Sequence, residues 1–358
     1  MTVLAIDARM IESSGIGTII ANVAPRLIAR NRGWKFQIAG DIEKLRRFPW
    51  TAASNVQIVD YRAPIYSIRE QMVFPAALRA SSILWSPNYN IPLFWPGKLI
   101  VNINDLAHLV LPEMRNSPAK QIYARFMFGF VRRRADVIAY ISRFSTDEFH
   151  RLVGRPRGSE AIIHCGVDDA WFDVARVAPS HPYILFVGNV KPHKNLSRLL
   201  DAFAAIQDEI PHNLLIVGRK GGFITGDTAV QQRIEAFGGR VAFTGYVSDQ
   251  ELRSIFAAAD ALVLPSLYEG FGLPPVEAMA AGCPAMVSRT ASLPEVCQDA
   301  ALYCDPLDVT DIAAKMKQIV TDDDLRRTLK MRGSARAREL SWEATTDGYE
   351  RAIKSLLD

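Results

Sequence analysis

Two carboxylates, Glu269 and Glu277, stand in the stretch LYEGFGLPPVEAMAAG with seven residues between them, among them two glycines, two prolines and no other charge. Gly270 and Gly272 permit a backbone path that other residues resist, and leave N–H groups able to face a ligand. Pro274 and Pro275 stiffen the exit and suit the start of a helix, which places Glu277 in a first helical turn. A carboxylate there accepts two hydrogen bonds and suits the paired hydroxyls of a ribose. Glu269, before the bend, suits a second polyol such as a sugar ring. Complementing the helix dipole, at about 0.3–1 kcal/mol, accounts for Glu277 but not for Glu269 or the glycines. Hydrolysis of a glycosidic bond also uses two acids, but those face one another across a cleft rather than sharing one short loop.

Other loops carry charge or glycine. GNVKPHKN offers Lys191, His193 and Lys194 at a strand end. Lys194 suits a diphosphate, and a charge-assisted bond of that kind contributes about 1.5–3 kcal/mol. The bland reading is a solvated lysine. Arg219 and Lys220, in VGRKGG at the end of the next strand, add positive charge to the same crevice. The loop SSGIGT, Ser13–Thr18, places Gly15 and Gly17 just before a helix, where backbone N–H groups approach an anion. Tight strand–helix turns use glycine for steric reasons about as often. The loop is not a full G-x-G-x-x-G, and no Walker pattern is present.

These loops need strands and helices to hold them. VLAIDA, KFQIAG, VQIVD, ILWSPN, KLIVNIND and DVIAYIS read as buried parallel strands, with helices over 18–30, 119–134 and 143–152. The alternation restarts with YILFVGN, NLLIVG, RVAFTG, ALVLPS, PAMVS and ALYCD. The pattern predicts an α/β doubly wound domain occurring twice. The expected division is 1–168 completed by 340–358, a linker over 169–182, and 183–339. The linker lies between a strand ending in HCGVD and the strand at Tyr183. Ser248 and Glu251 form a capping-box signature, and Gly282 suits the end of the helix that bears Glu277. Ligands of such folds sit beyond the carboxyl ends of the strands, where all three loops fall.

Composition sets the outer limits. The 358 residues are 49% hydrophobic and 22% charged, with a net charge of +4. That balance gives no case for nucleic acid and leaves contact with an anionic membrane surface open. Cys165, Cys283, Cys297 and Cys304 lack metal-site spacing and read as reduced, mostly buried thiols. No metal cluster is expected. The N-terminus lacks the pattern of a signal peptide, and no run reaches a membrane span, so a cytoplasmic protein is expected.

Taken together, PSLYEGFGLPPVEAMAAGCPAMVSRTASLPEV closely resembles the donor-site signature of family 4 retaining glycosyltransferases. The resemblance runs along the chain through GIGTIIANV, NINDLAHLVLPE, ADVIAYISRFS, VGNVKPHKNL and SWE near Trp342. It implies the GT-B fold: two Rossmann-like domains facing across a cleft, with a C-terminal helix crossing back to the first domain. It implies that Glu277 binds the ribose and that Glu269 holds the transferred sugar, helped by the N–H groups of Phe271, Gly272 and Leu273. Lys194 would grip the diphosphate, with Gly17 near it, and no divalent metal or other cofactor would be needed. Two positions depart from the family pattern. Asn104 stands before Asp105 where the family often has a histidine that touches the sugar; it hydrogen-bonds a hydroxyl but is no base. His108, four residues on, is a substitute for it or an ordinary surface histidine. His193 replaces an arginine near the phosphates and carries full charge only below its ordinary pKa of about 6.5.

The likeness is greatest to bacterial mannosyltransferases of polysaccharide assembly. It implies a GDP-mannose donor, an acceptor that is a saccharide or a lipid-diphosphate-linked saccharide, and work at the inner membrane face. Relatives with near-identical motifs use UDP-, dTDP- or other GDP-sugars. A non-catalytic nucleotide-sugar binder and a nucleotide-sugar epimerase are the readings from other classes. One stretch, ARFMFGFVRRRAD, sets apolar residues before three arginines, which suits anionic lipid; a buried helix with a charged end is the simpler reading and is adopted. Arg26, Arg30, Arg32 and Lys35 read as a basic face or as ordinary solvated charges.

Overall fold

The computed structural model describes residues 2–67, 70–71, 74, 76, 78, 81–112, 117–218, 228–245 and 247–357. Within them the chain forms two compact units, one of residues 1–166 with 342–358 and one of residues 167–341.

The first unit is built on a seven-stranded sheet in the order β3-β2-β1-β4-β5-β6-β7. Its strands are β1 Val3–Asp7, β2 Lys35–Gly40, β3 Val56–Asp60, β4 Ile83–Ser86, β5 Lys98–Ile103, β6 Val137–Tyr140 and β7 Ser159–Ile162. Every pairing is parallel. Inner strands such as ILWS and VIAY are buried at every position, because helices cover both faces of such a sheet. The edge strands β3 and β7 keep exposed residues. β7 ends at Ile162, earlier than the strand expected through HCGVD. That segment makes only an isolated bridge, Val167 to Ser341.

The helix Ser14–Arg30 follows β1. It begins four residues before the expected start, so Gly15 and Gly17 lie in its opening turns and not in a loop ahead of it. The helix Trp342–Lys354 completes the same unit. Trp342 and Tyr349 are buried, each burial stabilising on the order of 2–3 kcal/mol. The Tyr349 hydroxyl accepts from Asn102 Nδ2, whose Oδ1 accepts from Trp85 Nε1 at 3.0 Å. Gly348 lets this helix pack closely on Ile163, just after β7, since a Cβ there would sit 2.9 Å from Ile163 Cγ2. On the outer side Arg26 and Arg30 pair with Glu343, and Arg30 also with Asp347. They clamp this last helix, so Arg26 and Arg30, of the four basic residues noted there, are engaged in ion pairs.

The second unit has a six-stranded parallel sheet in the order β10-β9-β8-β11-β12-β13. Its strands are β8 Tyr183–Val187, β9 Asn213–Val217, β10 Val241–Gly245, β11 Ala261–Leu264, β12 Ala285–Ser288 and β13 Ala301–Cys304. The order reverses between β8 and β11, which places a ligand crevice beyond their carboxyl ends. The Ser248–Glu251 capping box forms, with Ser248 N donating to Glu251 Oε2 at 2.8 Å. All four cysteines are free and buried.

Candidate active site

The loops after β8 and β11 meet at that reversal. After β8, Pro192–Lys194 makes one turn of 3-10 helix, then Asn195 adopts φ 61° and opens the helix Leu196–Ile206. Asparagine is one of the few side chains that tolerates this left-handed conformation. Here it is buried, and its Nδ2 donates to Pro265 O at 2.9 Å and Pro306 O at 2.6 Å. Leu267 N donates to His193 O at 2.7 Å. These bonds lock the β8 loop to the β11 loop.

The lock places Lys194 on Glu269. Its Nζ lies 2.6 Å from Oε1 and 2.8 Å from Oε2, and Ser266 Oγ donates to Oε1 at 2.7 Å. Glu269 is 8% exposed. Ser292 Oγ donates to Glu269 O at 2.9 Å and Phe271 O at 3.0 Å, pinning the bend between them. Gly272 has φ 95°, a left-handed conformation that strains any residue with a Cβ, and a Cβ there would also displace Leu293 Cδ2, 2.6 Å away.

The helix Leu273–Ala280 starts at this glycine, with the two prolines at its second and third positions. Glu277 therefore lies in the second turn, not the first as expected. Dipole stabilisation fades beyond the first turn. Burial, with the charge of Asp249 adding, pushes the Glu277 carboxyl up to about 7. Among the described residues none hydrogen-bonds or ion-pairs with it. Gly272 and Leu273 supply N–H groups at the helix start, where no intrahelical acceptor exists. Gly282, at φ 70°, ends the turn after the helix, as expected. Arg219 and Lys220 lie outside the described residues, as does Glu113 of the NINDLAHLVLPE segment.

The remaining residues belong to the first unit. Asn104 Nδ2 donates to Pro87 O at 3.0 Å, while its buried Oδ1 has no partner among the described residues. His108 is half-buried, its ring 5.8 Å from that of Tyr89. Gly15 is exposed with open space around it; a Cβ on buried Gly17 would lie 2.3 Å from Ile11 O. Packing against that backbone is thus sufficient reason for Gly17.

A second polar cluster escaped the sequence reading. At the end of β1, Arg9 Nη2 bonds Asp7 Oδ2 at 2.6 Å and Glu70 Oε1 at 2.5 Å. Asn90 Nδ2 donates to both Glu70 oxygens, and the Tyr123 hydroxyl donates to Asn90 Oδ1. Burial pushes the Glu70 carboxyl up despite Arg9. Burial also raises Tyr89, with Tyr66, Tyr123 and Asp105 adding to it. The cluster sits where the first sheet reverses, between β1 and β4. Only its separation of 61 residues from Arg9 hid Glu70; the AIDAR ending of β1 was the available signal.

The family model for glycosyl transferases group 1 matches residues 167–336, nearly the whole second unit. O-antigen chain mannosyltransferase B of Escherichia coli is 32% identical over 291 residues, covering 76% of this chain and 74% of that protein. The chain belongs to the group 1 glycosyl transferases. A second relative of this glycosyl transferase, the serotype-specific mannosyltransferase WbdA of E. coli, is 31% identical over 281 residues; the match covers 73% of the chain but 34% of WbdA. Among solved structures, HepE of Anabaena in complex with UDP-glucose aligns with TM-score 0.79 at 16% identity, covering 99% of this chain and 100% of that one. Sucrose-phosphate synthase of Thermosynechococcus elongatus aligns with TM-score 0.76 at 20% identity, covering 100% and 99%. At those identities the likeness shows the fold, GT-B. Among the described residues no helix is long and apolar enough to cross a membrane, and no group of three or more acidic, cysteine or histidine side chains could hold a metal ion.

Proposed function

We propose that this enzyme transfers mannose from GDP-mannose, with retention at the anomeric carbon, to a lipid-diphosphate-linked saccharide in polysaccharide assembly at the inner membrane face. The observation that carries the reading is the Lys194–Glu269–Ser266 constellation, with unpartnered Glu277 on the adjoining helix. The names of the E. coli relatives support the choice of mannose.

The second unit takes the donor, and the first the acceptor. Glu277 accepts from the ribose hydroxyls. Lys194 turns from Glu269 to the diphosphate, helped by His193, Arg219 and the Gly272 and Leu273 N–H groups. Glu269, still held by Ser266, takes the hydroxyls of the sugar, and Asn104 and His108 in the first unit are hydrogen-bonding groups for a saccharide. The bond from the anomeric carbon to the phosphate oxygen breaks, and its electron pair leaves with the phosphate. The acceptor hydroxyl attacks the same face and passes its proton to the departing phosphate oxygen. Donors already aimed at that oxygen lower the barrier, because no solvent must reorganise as its charge grows. No divalent metal enters this scheme.

The test is nucleoside diphosphate release from GDP-mannose, UDP-glucose, UDP-galactose, UDP-N-acetylglucosamine and dTDP-rhamnose, in EDTA, with and without membrane lipid extract. GDP released from GDP-mannose alone, dependent on extract and lost in Glu269→Ala, is the expected result. Release from another donor overturns the mannose assignment. Tight donor binding without turnover in the presence of extract overturns the catalytic one.

A further inference from the structure

We propose that the helix Pro118–Arg134 docks the first unit on an anionic phospholipid surface, with Arg125, Arg132 and Arg133 meeting lipid phosphates and Ile122 and Phe126 entering the acyl boundary. This deepens the lipid-linked acceptor reading, since it brings the enzyme to where such an acceptor lies.

The helix has two unlike faces. Ala124, Met127, Phe128 and Val131 are buried in the core of the unit. Ile122 is 69% and Phe126 is 55% exposed, and a spacing of four sets them on one face. Phe130, a turn further on, stacks on Phe126 at 6.3 Å. The helix is thus not buried all round, as the simpler sequence reading had it. Adjacent large apolar side chains left in water on a helix rich in cations are the pattern of an interfacial helix.

The charge on the helix is one-signed. It carries Lys120, Arg125, Arg132, Arg133 and Arg134 and no acidic residue. Arg134 is satisfied, donating to Trp95 O at 2.8 Å and Gly97 O at 2.7 Å. Those bonds also tie in the loop bearing Phe94, which is 73% exposed. Arg125, Arg132 and Arg133 have no acidic partner among the described residues. With Gly129, Leu109 and Val153 they line a pocket of about 370 Å³. Glycine in mid-helix is disfavoured against alanine. Here it keeps that wall of the pocket open, since a Cβ would meet only Arg133 Nη1, at 3.9 Å. Three guanidinium groups without an acidic partner among the described residues, around a hollow on the helix that exposes Ile122 and Phe126, match a phosphate headgroup above acyl chains.

The experiment is sedimentation of the full chain with vesicles of phosphatidylcholine alone, or of equal parts phosphatidylcholine and phosphatidylglycerol. We expect binding to the anionic vesicles only. Arg132→Ala with Arg133→Ala should weaken it about 25-fold, taking about fivefold per arginine. Ile122→Ser with Phe126→Ser should weaken it comparably, and what remains should be lost in salt. These positions are half-buried or exposed, and unchanged melting of both variants separates docking from folding. Equal binding to both vesicle types, no binding to either, or binding untouched by both double variants overturns the proposal. So does stabilisation by inorganic pyrophosphate that needs these arginines, without vesicle binding; that would assign the pocket to a soluble anion. The assay contains no donor, so anionic-vesicle binding by an enzyme that consumes no nucleotide sugar would sink the proposed reaction and leave the docking surface standing.

Discussion

Lys194 Nζ reaches both carboxylate oxygens of Glu269, at 2.6 and 2.8 Å, while Ser266 donates to one of them at 2.7 Å. A sugar hydroxyl and a diphosphate would each claim one member of this pair, so donor binding exchanges one set of bonds for another. Removing Lys194 leaves a buried carboxylate without its cation. Lys194→Ala should therefore destabilise the second unit by about 3 kcal/mol. It should also lower kcat/KM by about 10²–10³. The double variant Lys194→Ala, Glu269→Ala should recover most of the melting temperature and none of the activity. Melting curves with kcat/KM for the three proteins test this, and a melting temperature unchanged in Lys194→Ala would rule out the pair as a structural contact.

Glu277 should make donor affinity and stability respond to pH in opposite senses. Its carboxyl ionises near 7 in the folded chain, against 4.5 ordinarily, because burial penalises the charge. Between those values the unfolded chain has already lost the proton, so stability falls as pH rises from 4.5 to 7 and stays reduced above it. Glu277→Gln should gain about 1–2 kcal/mol near pH 8, allowing for the side chain's remaining contact with solvent, and nothing near pH 4. Ribose hydroxyls donate best to the ionised form. The Glu277 contribution to GDP binding should thus weaken as pH drops below 7 in the parent protein, and the variant should bind about 10–100-fold more weakly at pH 8 and lack that fall. Titration calorimetry across that window decides it.

The strands were legible because parallel strands buried on both faces read as short unbroken apolar runs: ALVL and AMVS are buried at every position. β7 was placed too late because an edge strand, SEAI, keeps exposed residues and lacks that run. The expected place of Glu277 is one turn early because the prolines mark only the first turns of a helix, whereas the left-handed Gly272 fixes its start. Lys194 and Glu269 could each be picked from their loops. Their contact depends on β8 lying beside β11, a fact of strand order that no local stretch records. The same holds for Arg9 and Glu70, which meet across 61 residues.

Asn195 should matter as much as the residues it positions. Its side chain bridges Pro265 O and Pro306 O from a left-handed backbone. Asn195→Gly keeps the backbone conformation accessible and deletes both bonds. It should cost about 1–3 kcal/mol through the buried carbonyls left unpaired. Activity should fall as well, because Lys194 is the next residue. Asn195→Asp should be worse, since a carboxylate oxygen would face two carbonyl oxygens. Denaturant melts alongside donor turnover separate these cases, and a Gly variant as stable as the parent would show that the bridge does not hold the loop.

Gly17 and Gly15 stand two residues apart yet should behave oppositely. A Cβ at Gly17 would lie 2.3 Å from Ile11 O, and backbone cannot move aside as a side chain can. Gly17→Ala should destabilise the first unit by about 1–3 kcal/mol. Gly15 is exposed with nothing near its Cβ position, and alanine favours the helix by up to about 1 kcal/mol. Gly15→Ala should therefore melt no lower than the parent. Measured below the melting transition, GDP affinity should be unchanged in both. A Gly17→Ala protein that melts normally but binds GDP poorly would mean that this glycine serves the phosphates and not the packing of the turn.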